Sequence, residues 1–496
     1  MSIALLDGRP VPVAGSSASP HGPLFERAVE HATRYRDSLA DRPPRPEAGA
    51  AELQALFDGP TPEAGQAALS VIDALARAAE PGLSATAGSR FFGWVIGGSG
   101  PLGVAADMLT SAWGQNAGNY ACAPSAAMAE KVAARWLLDI LRLPPECSVG
   151  FVTGATMASF VCLAAARNAV LARVGWDVEA EGLAGAPRVR VFVGEDAHVT
   201  VTSALRYLGL GARATRIRTD AEGRMDAGAL ALALAEGEGP AIVIAQAGQI
   251  NTGAFDPMPA IARACRRHGA WLHVDGAFGL WARAVPEMAE LTSGLQAADS
   301  WSTDGHKWLQ LPYDSGFAIV RDADAHRRAM AVAASYLPPA CNGEYDPGQF
   351  APELSRRARG FAAWAMLKAL GRQGVADMVR RHCALARRLA RRLAGEPGVS
   401  LLNSVDLNQV IVSFGEGPTD ERDALTGAVI ARMQEDNVCF AGGATWRDRQ
   451  VLRLSIISGP LTEADIDRLA EAVLSAWRHV RATGGDRRIP PPQPEI

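Results

Sequence analysis

The sequence predicts an α/β protein with a large domain built on a mostly parallel sheet, a smaller C-terminal α+β domain and an N-terminal helical segment. Three observations carry that expectation. From about Ser148, short β-branched runs alternate with helical patterns, the arrangement that packs helices on both faces of a parallel sheet. Near Gly360 the alternation gives way to a long arginine-rich helical stretch followed by short strands. The chain has 496 residues, 48% of them hydrophobic, more than one core normally serves, so two or three domains are expected.

In chain order, residues 14–46 mix small residues and prolines with a short helical pattern at 25–39, and further helical patterns cover 50–57 and 64–79. The glycine-rich run FFGWVIGGSGPLG (91–103) reads as a turn region. A strong helix is predicted over 125–141, with Met128, Val132, Trp136, Leu137 and Ile140 on its apolar face. Strands are predicted at 189–193, 241–245, 271–274 and 316–320, and helices at 156–174, 203–208 and 257–268. The arginine-rich helix spans 360–394, followed by strands at 408–413 and 451–455 and a helix at 462–476. The expected domains are therefore 1–105 (helical), 106–385 (large α/β), 386–482 (small α+β) and a disordered proline-rich tail at 483–496.

Composition narrows the function classes. A net charge of −4 gives no electrostatic footprint for nucleic acid or an anionic membrane surface. Seven cysteines lie scattered without a CxxC pair, which fits reduced thiols better than disulfides or a zinc site. The N-terminus lacks a basic start followed by a long apolar core, and no run of about 18 apolar residues stands out. A cytoplasmic protein without a membrane span is expected.

The chemistry is signalled by lysine usage. Of 49 Lys and Arg residues only Lys131, Lys307 and Lys368 are lysine. Arginine replaces lysine on a solvated surface but not where an amine must lose its proton and attack a carbonyl. Lys307, in STDGHKW (302–308), reads either as a Schiff-base lysine or as a surface lysine spared by arginine bias. If it holds pyridoxal 5′-phosphate (PLP), a carboxylate must keep the pyridine nitrogen protonated. Asp275, closing the strand in WLHVDGAFG (271–279), supplies one, since ligands bind at the carboxyl ends of strands in such sheets. The alternative for Asp275 is a cap on the next turn. The run GFVTGATMAS (150–159) offers small residues and hydroxyls before a helix start, where backbone N–H groups favour an anion; tight packing explains the same pattern. His198, in EDAHVT (195–200), could stack on one face of a cofactor ring with Ala277 on the other, or be an ordinary loop histidine. His306 stands ready for a phosphate contact or proton transfer, while His268 and His273 read as structural.

Together these pieces resemble the group II PLP-dependent amino acid decarboxylases, the family of aromatic-amino-acid, tyrosine, histidine, glutamate and cysteine sulfinate decarboxylases. The residues that carry the resemblance are HVDGAFG (273–279), DGHKW (304–308), EDAHVTVTSALRYLGLG (195–211), NTGAFDP (251–257) and SRFFGWV (89–95), and the likeness runs from about Ser89 to Ala476. It implies the aspartate-aminotransferase-like fold (fold type I) and a homodimer with shared active sites, whose N-terminal helices wrap the partner. It also implies residue roles: Lys307 as the Schiff-base lysine, Asp275 on the pyridine nitrogen, His198 on the ring, and Ala155 and Thr156 at the phosphate. The family's loop tyrosine, a proton donor to the substrate carbon, is matched here to Tyr345, with Tyr336 second. Two departures stand out: Gln249 and Ile250 replace a common pair of threonines, and Gly305 stands where proline is usual, which is expected to loosen the lysine loop.

The activity implied is decarboxylation of an L-amino acid to its amine. A decarboxylating aldehyde synthase, another fold type I lyase or transaminase, and a scaffold that keeps only the fold are the alternatives. For the substrate, Phe91, Phe92 and Trp94 would suit an aromatic side chain, whereas Arg90 or Arg453 would suit an acidic one, and Arg453 could equally hold the α-carboxylate.

Overall fold

The computed structural model describes residues 19, 21–211, 213–332 and 345–483. The chain divides into two compact units between Ala85 and Thr86. The first holds three helices, α1 (Gly22–Ser38), α2 (Ala50–Phe57) and α3 (Ala68–Ala79). It is fastened by His31 Nε2, 2.7 Å from Asp73 Oδ1, and by the Tyr35 hydroxyl donating to the Ser84 carbonyl at 3.0 Å.

The second unit opens with α4 (Pro101–Trp113) and α5 (Pro124–Ile140). Its sheet strands are β1 (Ser148–Val152), β2 (Arg190–Gly194), β3 (Thr215–Ile217), β4 (Ala241–Gln246), β5 (Trp271–Asp275), β6 (Ser300–Asp304) and β7 (Gly316–Val320). Between and after them come α6 (Ala155–Ala172), α7 (Val178–Glu181), α8 (Val199–Tyr207), α9 (Ala227–Ala235), α10 (Met258–Arg267) and α11 (Ala323–Met330). The order across the sheet is β1-β7-β6-β5-β4-β2-β3, and β7 alone runs antiparallel to its neighbours. Alternation along each strand feeds two cores. Ala241, Val243 and Ala245 of β4 join the side packed by α5 and α10, whereas Ile242 and Ile244 join the side packed by α6 and α8. A sheet covered on both faces needs continuous apolar strands, and β4, AIVIAQ, is buried throughout.

The long α12 (Gly360–Ala394) crosses from this sheet to the next, with a break at Gly371, whose φ of +59° no other residue adopts easily. Beyond it, β8 (Val399–Leu401), β9 (Gln409–Phe414), β10 (Gly442–Trp446) and β11 (Arg449–Ser455) form an antiparallel sheet ordered β10-β11-β9-β8. α13 (Thr419–Asp436) and α14 (Glu463–Thr483) cover it, and the core between them takes in the second half of α12.

Three expectations change. The helical segment ends at Ala85, not 105. Residues beyond it are tied to later chain: Phe92 N–H donates to the Phe440 carbonyl at 2.7 Å, and Gly100 N–H to the Gln310 carbonyl at 2.6 Å. The small antiparallel sheet does not separate from the large one as a compact unit. A run apolar and long enough to cross a membrane does exist, as α6, but 67% of it is buried inside the protein, so its composition answers to the core. The expected tail lies outside the described residues.

Candidate active site

Asp275 is the last residue of β5, and its neighbour in register on β6 is Ser302. β6 continues two residues further, to Asp304, and Lys307 follows on the turn. That turn is tightly bound: Asp304 N–H donates to the Ala277 carbonyl at 2.9 Å, and Gly305 and His306 N–H both donate to the Ser315 carbonyl. Proline at 305 could not make the first of those Ser315 bonds. A Cβ on Gly305 would lie 2.6 Å from Ser315 Oγ and 2.8 Å from Leu311 Cδ1. The lysine loop is therefore packed and hydrogen-bonded, not loosened as the sequence suggested.

Lys307 Nζ lies 3.0 Å from Asp304 Oδ2 and 5.8 Å from the centre of the Phe278 ring. The next residue anchors it from behind: Trp308 Nε1–H donates to His382 Nδ1 at 2.8 Å. That bond requires a neutral imidazole with its proton on Nε2, and burial holds the His382 pKa down to about 3. In front, Gly97 (φ +69°) runs directly over the turn; a Cβ there would sit 2.0 Å from the His306 carbonyl oxygen.

His198 caps the N-terminus of α8, its Nδ1 accepting the Thr200 N–H and lying 2.7 Å from Thr200 Oγ1. Burial lowers its pKa most, with Lys307 and Arg453 adding to the effect and Asp275 and Asp304 opposing it. Asp275 shows the complementary pattern. Burial raises its carboxyl, and His198, the Ala277 N–H bond at 3.1 Å and Lys307 draw it back. Asp275, His198, Lys307, Asp304 and Arg453 thus share one electrostatic neighbourhood. Arg453, on β11 of the small sheet, extends to Asn251 Oδ1 at 3.1 Å. Gln249 secures that asparagine's turn: its Oε1 accepts the N–H groups of Asn251 and Thr252, and its Nε2 donates to the Asp196 carbonyl. The glutamine that departs from the family pattern is a turn clamp.

At the other end of the site, α6 begins at Ala155 directly after Gly154. Its first N–H, on Ala155, donates to Asp304 Oδ1 at 2.6 Å, and Thr156 is exposed beside it. His306 Nε2 is 3.4 Å from the same Asp304 oxygen, and its ring stacks on Tyr313 at 4.3 Å. The donor set suits PLP. A buried carboxylate ends β5, an amine follows on the turn after the neighbouring β6, His198 and the small Ala277 lie close to that carboxylate, and an 18-residue helix begins beside Asp304.

Other expected site residues are elsewhere. The Tyr345 hydroxyl donates to the Val149 carbonyl at 3.2 Å and its ring stacks on Phe350. Val149 is level with Ile319 and, through it, with Trp301. That is three residues short of Asp304, or ~10 Å along the strand. Tyr345 braces the free edge of β1 and is not brought to Lys307. Tyr336 lies outside the described residues. Phe92 is fully buried among Leu385, Leu389 and Val412, where it packs a core and cannot touch a substrate. Trp94 is 50% exposed and clusters with Phe91 and Phe440 at 5.8 and 5.0 Å. Arg90 acts on the Cys439 thiol.

The pyridoxal-dependent decarboxylase conserved domain matches residues 51–415, well over half of the sequence. The chain belongs to that family. Among its relatives, an acidic amino acid decarboxylase, GADL1, of Mus musculus is 27% identical over 409 residues, covering 78% of this chain and 74% of the relative. An aromatic-L-amino-acid decarboxylase of Bacillus atrophaeus is 26% identical over 390 residues, covering 76% and 78%. The fold matches that of an Oryza sativa TDC solved with PLP and tryptamine, with a TM-score of 0.87 at 22% identity over 94% of this chain and all of the other. The protein is thus a fold type I, PLP-dependent carboxy-lyase acting on an amino acid, as the residues around Lys307 implied.

Sequence reasoning passed over Asp304, Tyr313, His382 and Asn251. Asp304 was signalled by its place, three residues before the lysine. The other three meet the site only through tertiary packing.

Proposed function

We propose that this decarboxylase converts a free L-amino acid to the corresponding amine, with PLP held by Lys307 and Asp275. The observation that carries the reading is that Asp275 ends β5 while Lys307 lies on the turn after the neighbouring β6, with His198 and Arg453 in the same electrostatic neighbourhood. Bound there, PLP supplies a protonated pyridine ring that takes up the electron pair released when CO₂ leaves. Asp275 would keep the ring nitrogen charged, His198 would cover one face, and Ala277 would leave room at the other. His306 and Thr156, with the Ala155 N–H, would hold the phosphate end. Arg453, steadied by Asn251, holds the α-carboxylate, so that the bond to CO₂ stands in a fixed orientation.

An aromatic or bulky amino acid is the favoured substrate class. Tyr313, stacked on His306, offers ring surface beside the lysine turn, and Trp94 with Phe91 and Phe440 adds more. A screen of the protein amino acids for CO₂ release with matching amine tests this. The Lys307→Ala variant should release none, and turnover in that variant would sink the assignment.

The position of Tyr345 favours a second reading. With that hydroxyl engaged on β1, an aldehyde-forming reaction, which consumes dioxygen and releases ammonia and hydrogen peroxide with CO₂, becomes the competitor. Amine in one-to-one ratio with CO₂ supports the first reading, and peroxide with aldehyde supports the second.

The active form is proposed to be a homodimer. α4 carries an exposed apolar stripe, Leu102, Leu109 and Trp113, beside the buried Gly103, Ala106 and Thr110. The first unit likewise exposes Phe25, Val29, Phe57 and Leu75. Such apolar surface marks an association site, and a second copy is its proposed occupant. Sedimentation at micromolar concentration should give twice the mass of the chain; a monomer would contradict it.

A further inference from the structure

The carboxylate of Asp304 occupies the place where an anion would bind. Its side chain is 4% exposed. One oxygen accepts the first N–H of α6, on Ala155, at 2.6 Å, and the other lies 3.0 Å from Lys307 Nζ. Gly154 lets it approach: a Cβ there would come within 3.1 Å of Asp304 Oδ1. A helix N-terminus with unpaired N–H groups is an anion site, and here the protein's own anion fills part of it. A phosphate brought to Ala155 and Thr156 would meet a buried like charge, and the lysine now paired with Asp304 would be needed by the cofactor. His306 Nε2 lies 3.4 Å from the carboxylate oxygen that accepts the Ala155 N–H.

We propose that Asp304 is a built-in competitor for the cofactor phosphate. It holds the Ala155 N–H and the Lys307 ammonium in the cofactor-free protein and must yield both on loading, which lowers affinity for PLP through the phosphate specifically. The consequence is an enzyme whose loaded fraction follows the PLP supply. The proposal rests on the assignment of PLP to Lys307 and Asp275.

The test compares the cofactor-stripped full chain with Asp304→Asn, which keeps an oxygen acceptor for Ala155 and removes the charge. Each is titrated with PLP and with pyridoxal, which lacks the phosphate, followed by tryptophan fluorescence. Loss of the carboxylate alters Lys307 for both ligands equally, so the ratio of the two affinities isolates the phosphate. The ratio should rise about tenfold or more in favour of PLP in Asp304→Asn, equivalent to about 1.4 kcal/mol. An unchanged or lower ratio overturns the proposal. Binding of neither ligand by the unaltered chain overturns the cofactor assignment and the proposal with it. Inorganic phosphate alone provides a second readout: it should raise the melting temperature of cofactor-free Asp304→Asn and of Asp304→Ala more than that of the unaltered chain. Equal shifts in all three would count against it.

Discussion

Replacing Gly97 by alanine separates the lysine turn from its surroundings with one methyl group. At this position φ is +69°, and the added Cβ would lie 2.0 Å from the His306 carbonyl oxygen, 2.6 Å from that of Lys307 and 3.0 Å from Lys307 Cα. Contacts below 3.0 Å are essentially never seen for a real Cβ. The backbone at 306 must therefore retreat by the difference, about 1 Å, a displacement that costs on the order of a hundredfold in rate when it misplaces a reacting group. The positive φ adds about 1 kcal/mol of strain. Gly269 is the control: its φ is +63°, but a Cβ there meets nothing within 4 Å. Gly269→Ala should lose about 1 kcal/mol of stability and keep its activity. Gly97→Ala should lose that and about a hundredfold in kcat/KM. Steady-state CO₂ release and urea unfolding on both variants decide the matter. Activity in Gly97→Ala within threefold of Gly269→Ala, by the same factor-of-ten arithmetic, would refute the argument that Gly97 sets the lysine's position.

Three further outcomes follow from the structure. Asp275→Asn should load cofactor yet lose about a hundredfold or more in kcat, the scale of removing a group that stabilises charge only as the reaction proceeds; kcat within threefold of the unaltered enzyme would contradict its place at the ring nitrogen. His382, held neutral at about 3 against an ordinary 6.5, contributes stability that is whole above pH 6.5 and is lost as pH falls towards 3, at about 1.4 kcal/mol per pH unit. His382→Gln should flatten the stability profile between pH 6 and 4 by that slope, and an unaltered slope in urea unfolding would count against the neutral imidazole. Arg356→Leu strands Glu130, whose carboxylate lies 2.9 Å from the Arg356 guanidinium with both side chains buried. It should cost about 3–5 kcal/mol, read by urea unfolding at pH 8, and a loss below 1 kcal/mol would mean the pair contributes little.

What the sequence made legible follows from which residues carry their own signal. The buried strands β4, β5 and β7 are short apolar runs and were located to within a residue. β6 was not, although it bears the lysine turn, because its sequence SWSTD looks polar. Its hydroxyls are buried and satisfied internally: Ser300 Oγ by Trp271 Nε1 at 2.9 Å, and Ser302 Oγ by Ser159 at 3.0 Å. α9, AGALALALA, was missed because its leucines alternate at period two; only Leu230 and Leu234, one helical turn apart, are buried, while Leu232 faces out. Within the site, Asp275 stood out at a strand end before small residues, and Lys307 stood out by the scarcity of lysine and its place beside His306 in DGHKW. Tyr345 and Phe92 misled because residue type was taken for position, and only packing showed one bracing β1 and the other filling a core. Asp304 was in view throughout, but its meaning depends on a helix start 149 residues earlier in the chain.

The most direct measurement uses the scarcity of lysine. The purified protein, charged with PLP and reduced with borohydride, is digested and its peptides weighed. With only Lys131, Lys307 and Lys368 available, the reduced cofactor should be found on the peptide containing Lys307, and Asp275→Asn should weaken turnover without moving the label. A label on Lys131 or Lys368, or none at all, would contradict the claim that Lys307 holds the cofactor.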